Sequence, residues 1–136
     1  MKRFDAGIGL TVLAMLSLTV IGYTALPDEL ASHWNAKGEV DGYIHKGVGA
    51  FLLPAVTIVL VGLFRLFPRI DPLGDNIKSF RGYYDFFILV FALFMLLIQA
   101  QIMLWNLGVR IPVNIIIPIG VGALFACIGF VLEKSR

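Results

Sequence analysis

Four long apolar stretches, separated by short polar segments, dominate the chain. Each stretch has about 20 residues, which is the length that an α-helix needs to cross the hydrocarbon core of a bilayer. The pattern predicts an all-α, polytopic membrane protein whose single domain, residues 1–136, is a bundle of four transmembrane helices. The spans are expected at about Ala6–Leu26, Gly47–Phe67, Tyr83–Trp105 and Ile111–Leu132, with a folded extracellular loop at 27–46 and a cytoplasmic loop at 68–82.

The composition points to lipid as the solvent for most of the chain. Of the 136 residues, 59% are hydrophobic and 15% are charged, and the mean hydropathy is +0.89. A soluble domain carries about 25% charged residues, and one of this size has too little interior to hide so much apolar side chain. The first stretch follows Lys2 and Arg3 as a signal peptide would, but its apolar run is longer than a usual signal sequence, so we expect it to be retained as a span.

Lysine and arginine divide unequally between the two sides of the predicted bundle. Three lie on the side of the first loop and eight on the other. The positive-inside rule then places both termini in the cytoplasm and predicts a multi-pass protein of the plasma membrane. The eight are few and interrupted by acidic residues, which favours contacts with anionic membrane lipid over nucleic acid. They are Lys2, Arg3, Arg65, Arg69, Lys78, Arg81, Lys134 and Arg136, and the other three are Lys37, Lys46 and Arg110.

Several polar side chains and prolines fall within the spans, where unpartnered polar groups are costly. Gln99 and Gln101 lie near the outer end of the third span. Pro54 and Pro118 each lie about two turns inside a span, and each frees a backbone carbonyl one turn earlier. One interpretation is that the glutamine amides supply the missing donors and hold helices together. The alternative is a polar cavity in the outer half of the bundle, open beneath the first loop.

Two further patterns predict contacts along the helices. Arg81 precedes Asp85 by four residues, a spacing that permits an ion pair on one helix face. Gly122, Ala126 and Gly129 form a small-residue face that lets two helices approach closely. This face would pack either within the bundle or between copies in a homo-oligomer.

The first loop carries most of the candidate chemistry. Turn signals stand at Asn35–Gly38 and at Asp41-Gly42, and a loop of this length without structure would be unusual in so compact a protein. We expect a short helix near Asp28–His33 and a folded-back arm over the mouth of the bundle. An ion pair between Asp41 and Lys46 would anchor the arm.

This loop and the start of the second span also resemble a known family. The matching residues are Pro27, His33-Trp34-Asn35, Gly38, Asp41-Gly42-Tyr43, Lys46 and Leu53-Pro54. In order and spacing they resemble the N-terminal region of the bacterial and archaeal SdpI-like membrane proteins, a region long catalogued as a domain of unknown function. The group is named for immunity to a secreted peptide toxin, and its founding member also holds a transcriptional repressor at the membrane. The resemblance therefore implies toxin immunity.

Together these features predict a binding protein and not an enzyme, with no cofactor. The sequence has no glycine-rich phosphate loop, no HExxH and no serine beside a base, and the two histidines show no metal-ligand spacing. The expected ligand is a membrane-active peptide toxin or a lipid-like molecule; a small transporter or channel and a structural membrane subunit are the alternatives. The predicted ligand-binding residues are His33, Trp34, Asn35, Asp41, Tyr43, Lys46, Gln99 and Gln101, and the predicted structural residues are Gly38, Gly42, Pro54, Gly122, Ala126 and Gly129.

Overall fold

The computed structural model describes residues 2–70 and 80–134. Four of its helices are long and apolar enough to cross a membrane, which indicates a multi-pass membrane protein and confirms the prediction of four long apolar helices. The predicted cytoplasmic loop lies largely outside the described residues, as do Lys78, Arg136 and the side chains of Lys2, Arg3 and Lys134. The elements are α1 (Lys2–Gly22), a 3₁₀ turn (Tyr23–Ala25), β1 (Glu29–Trp34), β2 (Val40–His45), α2 (Lys46–Ile70), α3 (Arg81–Asn106) and α4 (Val113–Lys134).

Helix α3 lies at the centre of the bundle and contacts α1, α2 and α4. Its buried residues, apart from Gln101, recur every three or four positions, which places them on one stripe of the helix. We call the end of the bundle that carries β1 and β2 the hairpin end, and the opposite end, which holds Arg65, Arg69 and Arg81, the arginine end. The stripe joins the two ends and consists of Asp85, Ile88, Ala92, Met95, Gln99 and Met103.

The first loop is a β-hairpin, so the helix predicted near Asp28–His33 is wrong. Strands β1 and β2 pair antiparallel, and β2 alternates strictly between half-buried and exposed residues. Leu30 and Ile44 face each other across the ladder and pack on the end of the bundle. Side chains alternate between the two faces of a sheet, so residues paired across the ladder face the same apolar surface. One helical turn could not pair them in this way.

Two prolines lie inside α2, and each frees a carbonyl that receives a side-chain donor from α3. Pro54 leaves the carbonyl of Ala50 without its helical donor, and Gln99 Nε2 donates to that oxygen over 3.0 Å. The helix also continues through Pro68, which the sequence analysis placed in the loop. The corresponding carbonyl, that of Phe64, accepts a 2.8 Å hydrogen bond from the Tyr84 hydroxyl.

The two predicted glutamine donors therefore differ in their partners. Gln99 also donates to Thr19 Oγ1 over 2.8 Å, so its amide joins α1, α2 and α3. Gln101 Nε2 donates over 2.8 Å to the carbonyl of Ile111, in the segment that leads into α4. Both side chains are buried. They act as packing contacts and do not line an open cavity beneath the first loop.

At the arginine end, a buried carboxylate joins three helices. The side chain of Asp85 is fully buried, and its Oδ1 accepts hydrogen bonds from Arg81 Nε at 3.1 Å and Arg65 Nη1 at 3.4 Å. Arg65 also pairs with Asp5 on α1. The predicted pair of Arg81 and Asp85 is confirmed, and Arg65 extends it to α1 and α2.

The small-residue face of α4 points away from the other helices. Gly122, Ala126 and Gly129 are exposed, and a Cβ added at either glycine would meet nothing within 4 Å. The close approach of α4 to α3 occurs instead at Gly120, where a Cβ would lie 3.0 Å from the side chains of Phe94 and Leu97. Assembly into a homo-oligomer through the exposed face stays a prediction.

Candidate functional site

The turn of the hairpin is built around Asn35. Its Oδ1 accepts hydrogen bonds from the backbone of Lys37 at 2.9 Å and of Glu39 at 3.1 Å, and its Nδ2 donates to Glu39 Oε2 at 2.9 Å. Gly38 has a φ of 80°, in the left-handed region that favours glycine. Asn35 and Gly38, both singled out by the sequence analysis, therefore fix the reversal of the chain.

A second pair holds the strands together above the turn. The Nδ1–H of His33 donates to Asp41 Oδ1 over 2.5 Å. A Cβ at Gly42 would lie 2.8 Å from the Cβ of His33, so only glycine fits opposite this histidine. The ladder register shifts at His33, which is the mark of a β-bulge, and a bulge re-aims the side chains around it.

The predicted ion pair between Asp41 and Lys46 is wrong, because the strand geometry gives each residue another partner. Asp41 pairs with His33, and Lys46 Nζ pairs with Asp28 Oδ1 at 2.8 Å at the base of the hairpin. The hydrogen bond from Lys46, and then its positive charge, hold the pKa of Asp28 below its usual value. Lys46 also lies 5.7 Å from the centre of the Tyr23 ring, within the range of a cation–π contact.

Asn106, at the end of α3, attaches the hairpin to the bundle. Its Oδ1 accepts from the backbone N–H of Ala31 at 2.8 Å, and its Nδ2 donates to the carbonyl of Ala31 at 3.0 Å. The side-chain amide thus takes the place that a neighbouring strand would have beside β1. The sequence contains no local signal for this contact, because 75 residues separate Asn106 from Ala31.

Apolar and aromatic contacts complete the attachment. Leu30 and Ile44 pack into a cluster with Leu26, Ala50 and Met103. Beside this cluster the rings of Trp34 and Trp105 meet edge to face, with their centres 5.5 Å apart, and Arg110 lies 4.8 Å from the centre of the Trp105 ring. The indole Nε1 atoms of both tryptophans are buried without a hydrogen-bond partner among the described residues.

The outer edge of β2 is open. Leu30 lies directly opposite Ile44 in the ladder, and two residues along, the N–H of Lys46 donates to the carbonyl of Asp28. In an antiparallel ladder, pairs that are joined by backbone hydrogen bonds alternate with pairs that are not. The backbone N–H and C=O groups of Ala31 and Tyr43, which form the pair between, therefore point away from the ladder. The backbone groups of Ala31 form hydrogen bonds with Asn106. The backbone groups of Tyr43 lie on the opposite edge, where no hydrogen bond joins them to another described element. The side chain of Tyr43 is 65% exposed.

The hairpin also borders a groove against α4. The groove has a volume of about 330 Å³ and is lined by Trp34, Asn35 and Ala36 on the hairpin and by Asn114 and Pro118 on α4. Of the eight predicted ligand-binding residues, the structure places five on the hairpin, Lys46 at its base as the first residue of α2, and Gln99 and Gln101 inside the bundle. Among the residues that the structure describes, no three His, Cys, Asp or Glu side chains form a group able to hold a metal ion.

Comparison with known proteins yields one partial match. The model of a family described as a domain of unknown function, DUF1648, matches residues 10–58. The matched segment begins within α1, contains the whole hairpin and ends within α2. No curated protein and no solved structure matches the chain. The match thus coincides with the hairpin and the helix halves that carry it.

Proposed function

We propose that the protein binds a membrane-active peptide at the hairpin end and so protects the cell from it. The observation that carries this proposal is the open edge of β2, on a hairpin that Asn106 and an apolar cluster fix to the bundle. An extended peptide that pairs with such an edge gains main-chain hydrogen bonds, while its side chains contact the exposed face of the sheet.

The chemistry of the exposed face suits an amphipathic peptide. Asp41, Tyr43 and His45 alternate with half-buried residues along β2 and project from its exposed face. They offer a carboxylate, an aromatic ring and an imidazole at a spacing of two residues. Tyrosine favours the boundary between water and lipid, because its ring is apolar and its hydroxyl is polar.

For this role the hairpin end must face the outside of the cell, with both termini in the cytoplasm of a plasma-membrane protein. The excess of lysine and arginine at the arginine end supports that orientation through the positive-inside rule. Trp34 and Trp105 at the hairpin end suit the membrane interface. Resemblance of the hairpin to the SdpI-like proteins supports toxin immunity as the biological outcome.

Binding is favoured over transport by the way the buried polar groups are used. Gln99 and Gln101 donate to protein oxygens. Thr11 and Thr57 donate to carbonyls of their own helices. A transported solute would need hydrogen-bond donors of this kind to be free along its path.

To test the proposal, the chain is expressed in sensitive bacteria, and the cells are challenged with a panel of secreted membrane-active peptides. At matched protein abundance, wild type should raise the lethal concentration of at least one peptide. Tyr43→Ala removes only a side chain and should reduce protection. Tyr43→Pro also removes the outward N–H but leaves the bonds to β1 intact, so it should abolish protection.

Ala36→Pro is the matched control, because residue 36 is the second residue of a turn closed by a hydrogen bond from Gly38 to Asn35, where proline is favoured. It should protect like wild type. If wild type protected against no peptide in the panel, or Tyr43→Pro protected as well as wild type, the proposal would be wrong. Loss of protection in Ala36→Pro alone would indicate that the peptide binds in the groove against α4 and not at the edge of β2.

A further inference from the structure

A second groove lies between α1 and α2, at the opposite end of the bundle from the hairpin. It has a volume of about 630 Å³. Apolar residues line its length, and charged residues line the part at the arginine end: Asp5, Arg65, Arg69 and Arg81. The groove is therefore amphipathic along its axis.

Two glycines keep the apolar part open. Gly9 on α1 and Gly62 on α2 both line the groove, and a Cβ added to either would meet nothing within 4 Å. Glycine is an unfavourable residue inside a helix, and neither position uses it for close contact between helices. The two glycines instead leave space along the apolar walls of the groove.

The charged side chains that line this groove, taken with their ion-pair partners among the described residues, do not balance. Arg65 and Arg81 share the buried Asp85, and Arg65 also pairs with Asp5. Arg69 is exposed and has no ion pair with a described residue. Three guanidinium groups thus meet two carboxylates, which leaves one positive charge in excess at the mouth of the groove.

We propose that this groove binds one anionic phospholipid of the surrounding membrane. The phosphodiester would lie against Arg69 and Arg81, since arginine is suited to phosphate oxygens. One acyl chain would extend past Gly9 and Gly62 between the two helices. A phospholipid fits better than a soluble phosphate, because the apolar part of the groove lies within helices long enough to span a membrane. The site is separate from the hairpin and does not depend on the function proposed there.

Native mass spectrometry of the purified chain in a neutral detergent tests the site. The chain is titrated with phosphatidylglycerol, with phosphatidylcholine of the same acyl chains, and with glycerol phosphate. Wild type should bind one phosphatidylglycerol with an affinity about fivefold above that for phosphatidylcholine, the effect of roughly one basic residue near a membrane surface. It should bind glycerol phosphate too weakly to detect.

Two pairs of variants locate the bound lipid. Arg69→Gln should lower the affinity for phosphatidylglycerol about fivefold, whereas Lys37→Gln removes the same charge at the hairpin end and should leave it unchanged. Gly62→Leu should fill the groove and reduce lipid binding, whereas Gly122→Leu places the same side chain on the exposed face of α4 and should have no effect.

Three results would overturn the proposal: equal affinity for the two lipids, glycerol phosphate binding as tightly as phosphatidylglycerol, or groove variants that bind like their controls. Arg69 takes no part in the Asp85 network, so its substitution leaves that network intact and the result interpretable.

Discussion

The two ends of the bundle use the same kinds of side chain in opposite environments. At the hairpin end, His33 and Asp41 form a pair whose side chains are 72% and 43% exposed, and Asp28 pairs with Lys46 beside solvent. At the arginine end, Asp85 is fully buried between two arginines. Exposed pairs contribute about 0–1 kcal/mol to stability, whereas removal of one partner from a buried pair costs about 3–5 kcal/mol. The arginine end thus holds the helices together, and the hairpin end shapes a surface.

The largest expected effect comes from removing the buried carboxylate. Asp85→Ala leaves Arg81 without its partner and Arg65 with Asp5 alone, and it should lower the free energy of unfolding by about 3–5 kcal/mol. Asp41→Ala, which breaks the exposed pair, should lower it by at most about 1 kcal/mol. Denaturation by SDS in mixed micelles measures both variants, and equal losses would contradict the contrast between the ends.

Between the two ends, the amide of Gln99 compensates for Pro54. Gln99→Leu leaves the carbonyl of Ala50 without a donor and should cost about 1–3 kcal/mol. The same substitution also removes Oε1, which is buried without a partner, and this offsets part of the loss. Pro54→Ala restores a backbone donor to Ala50, so Gln99→Leu should cost about 1 kcal/mol less in that background. A double-mutant cycle of SDS denaturation that shows no coupling would exclude this compensation.

A smaller and more local effect is expected where the hairpin meets the bundle. Asn106→Ala removes both partners of the Ala31 backbone, and the amide proton of Ala31 should then exchange about tenfold faster or more, as expected for loss of a part-buried hydrogen bond. Asn114→Ala is the matched control at the same end. Hydrogen exchange measured by NMR in micelles distinguishes them, and unchanged protection of Ala31 in the Asn106 variant would show that the apolar cluster alone attaches the hairpin.

The smallest effect concerns Asp28, whose pKa Lys46 lowers in the folded chain. A lowered pKa means that the pair favours the folded state above the ordinary carboxylate pKa of about 3.9. That contribution is lost as the pH falls through the lower, folded value. An NMR titration of the Asp28 carboxyl carbon should give a higher pKa in Lys46→Met than in wild type. Identical titration curves would contradict the pairing.

The sequence predicted the four spans because 20-residue apolar runs are a direct consequence of bilayer thickness. It also predicted the pair of Arg81 and Asp85 and the role of Gln99 as a donor, since both follow from helical spacing or from the chemistry of proline. It did not predict the hairpin, because the strands of the first loop gain their stability from packing on Met103 and from Asn106, both distant in sequence. Tyr84 was missed because Pro68 was expected to end the second span.

The proposed function requires the hairpin end to face the outside of the cell. With Cys127 replaced by serine, single cysteines at Ala36, in the hairpin turn, and at Gly82, at the arginine end, are exposed to a membrane-impermeant thiol reagent. Intact cells should label the cysteine at position 36 and should label that at position 82 only after permeabilisation. Labelling of position 82 but not of position 36 in intact cells would show the opposite orientation and contradict the proposed function.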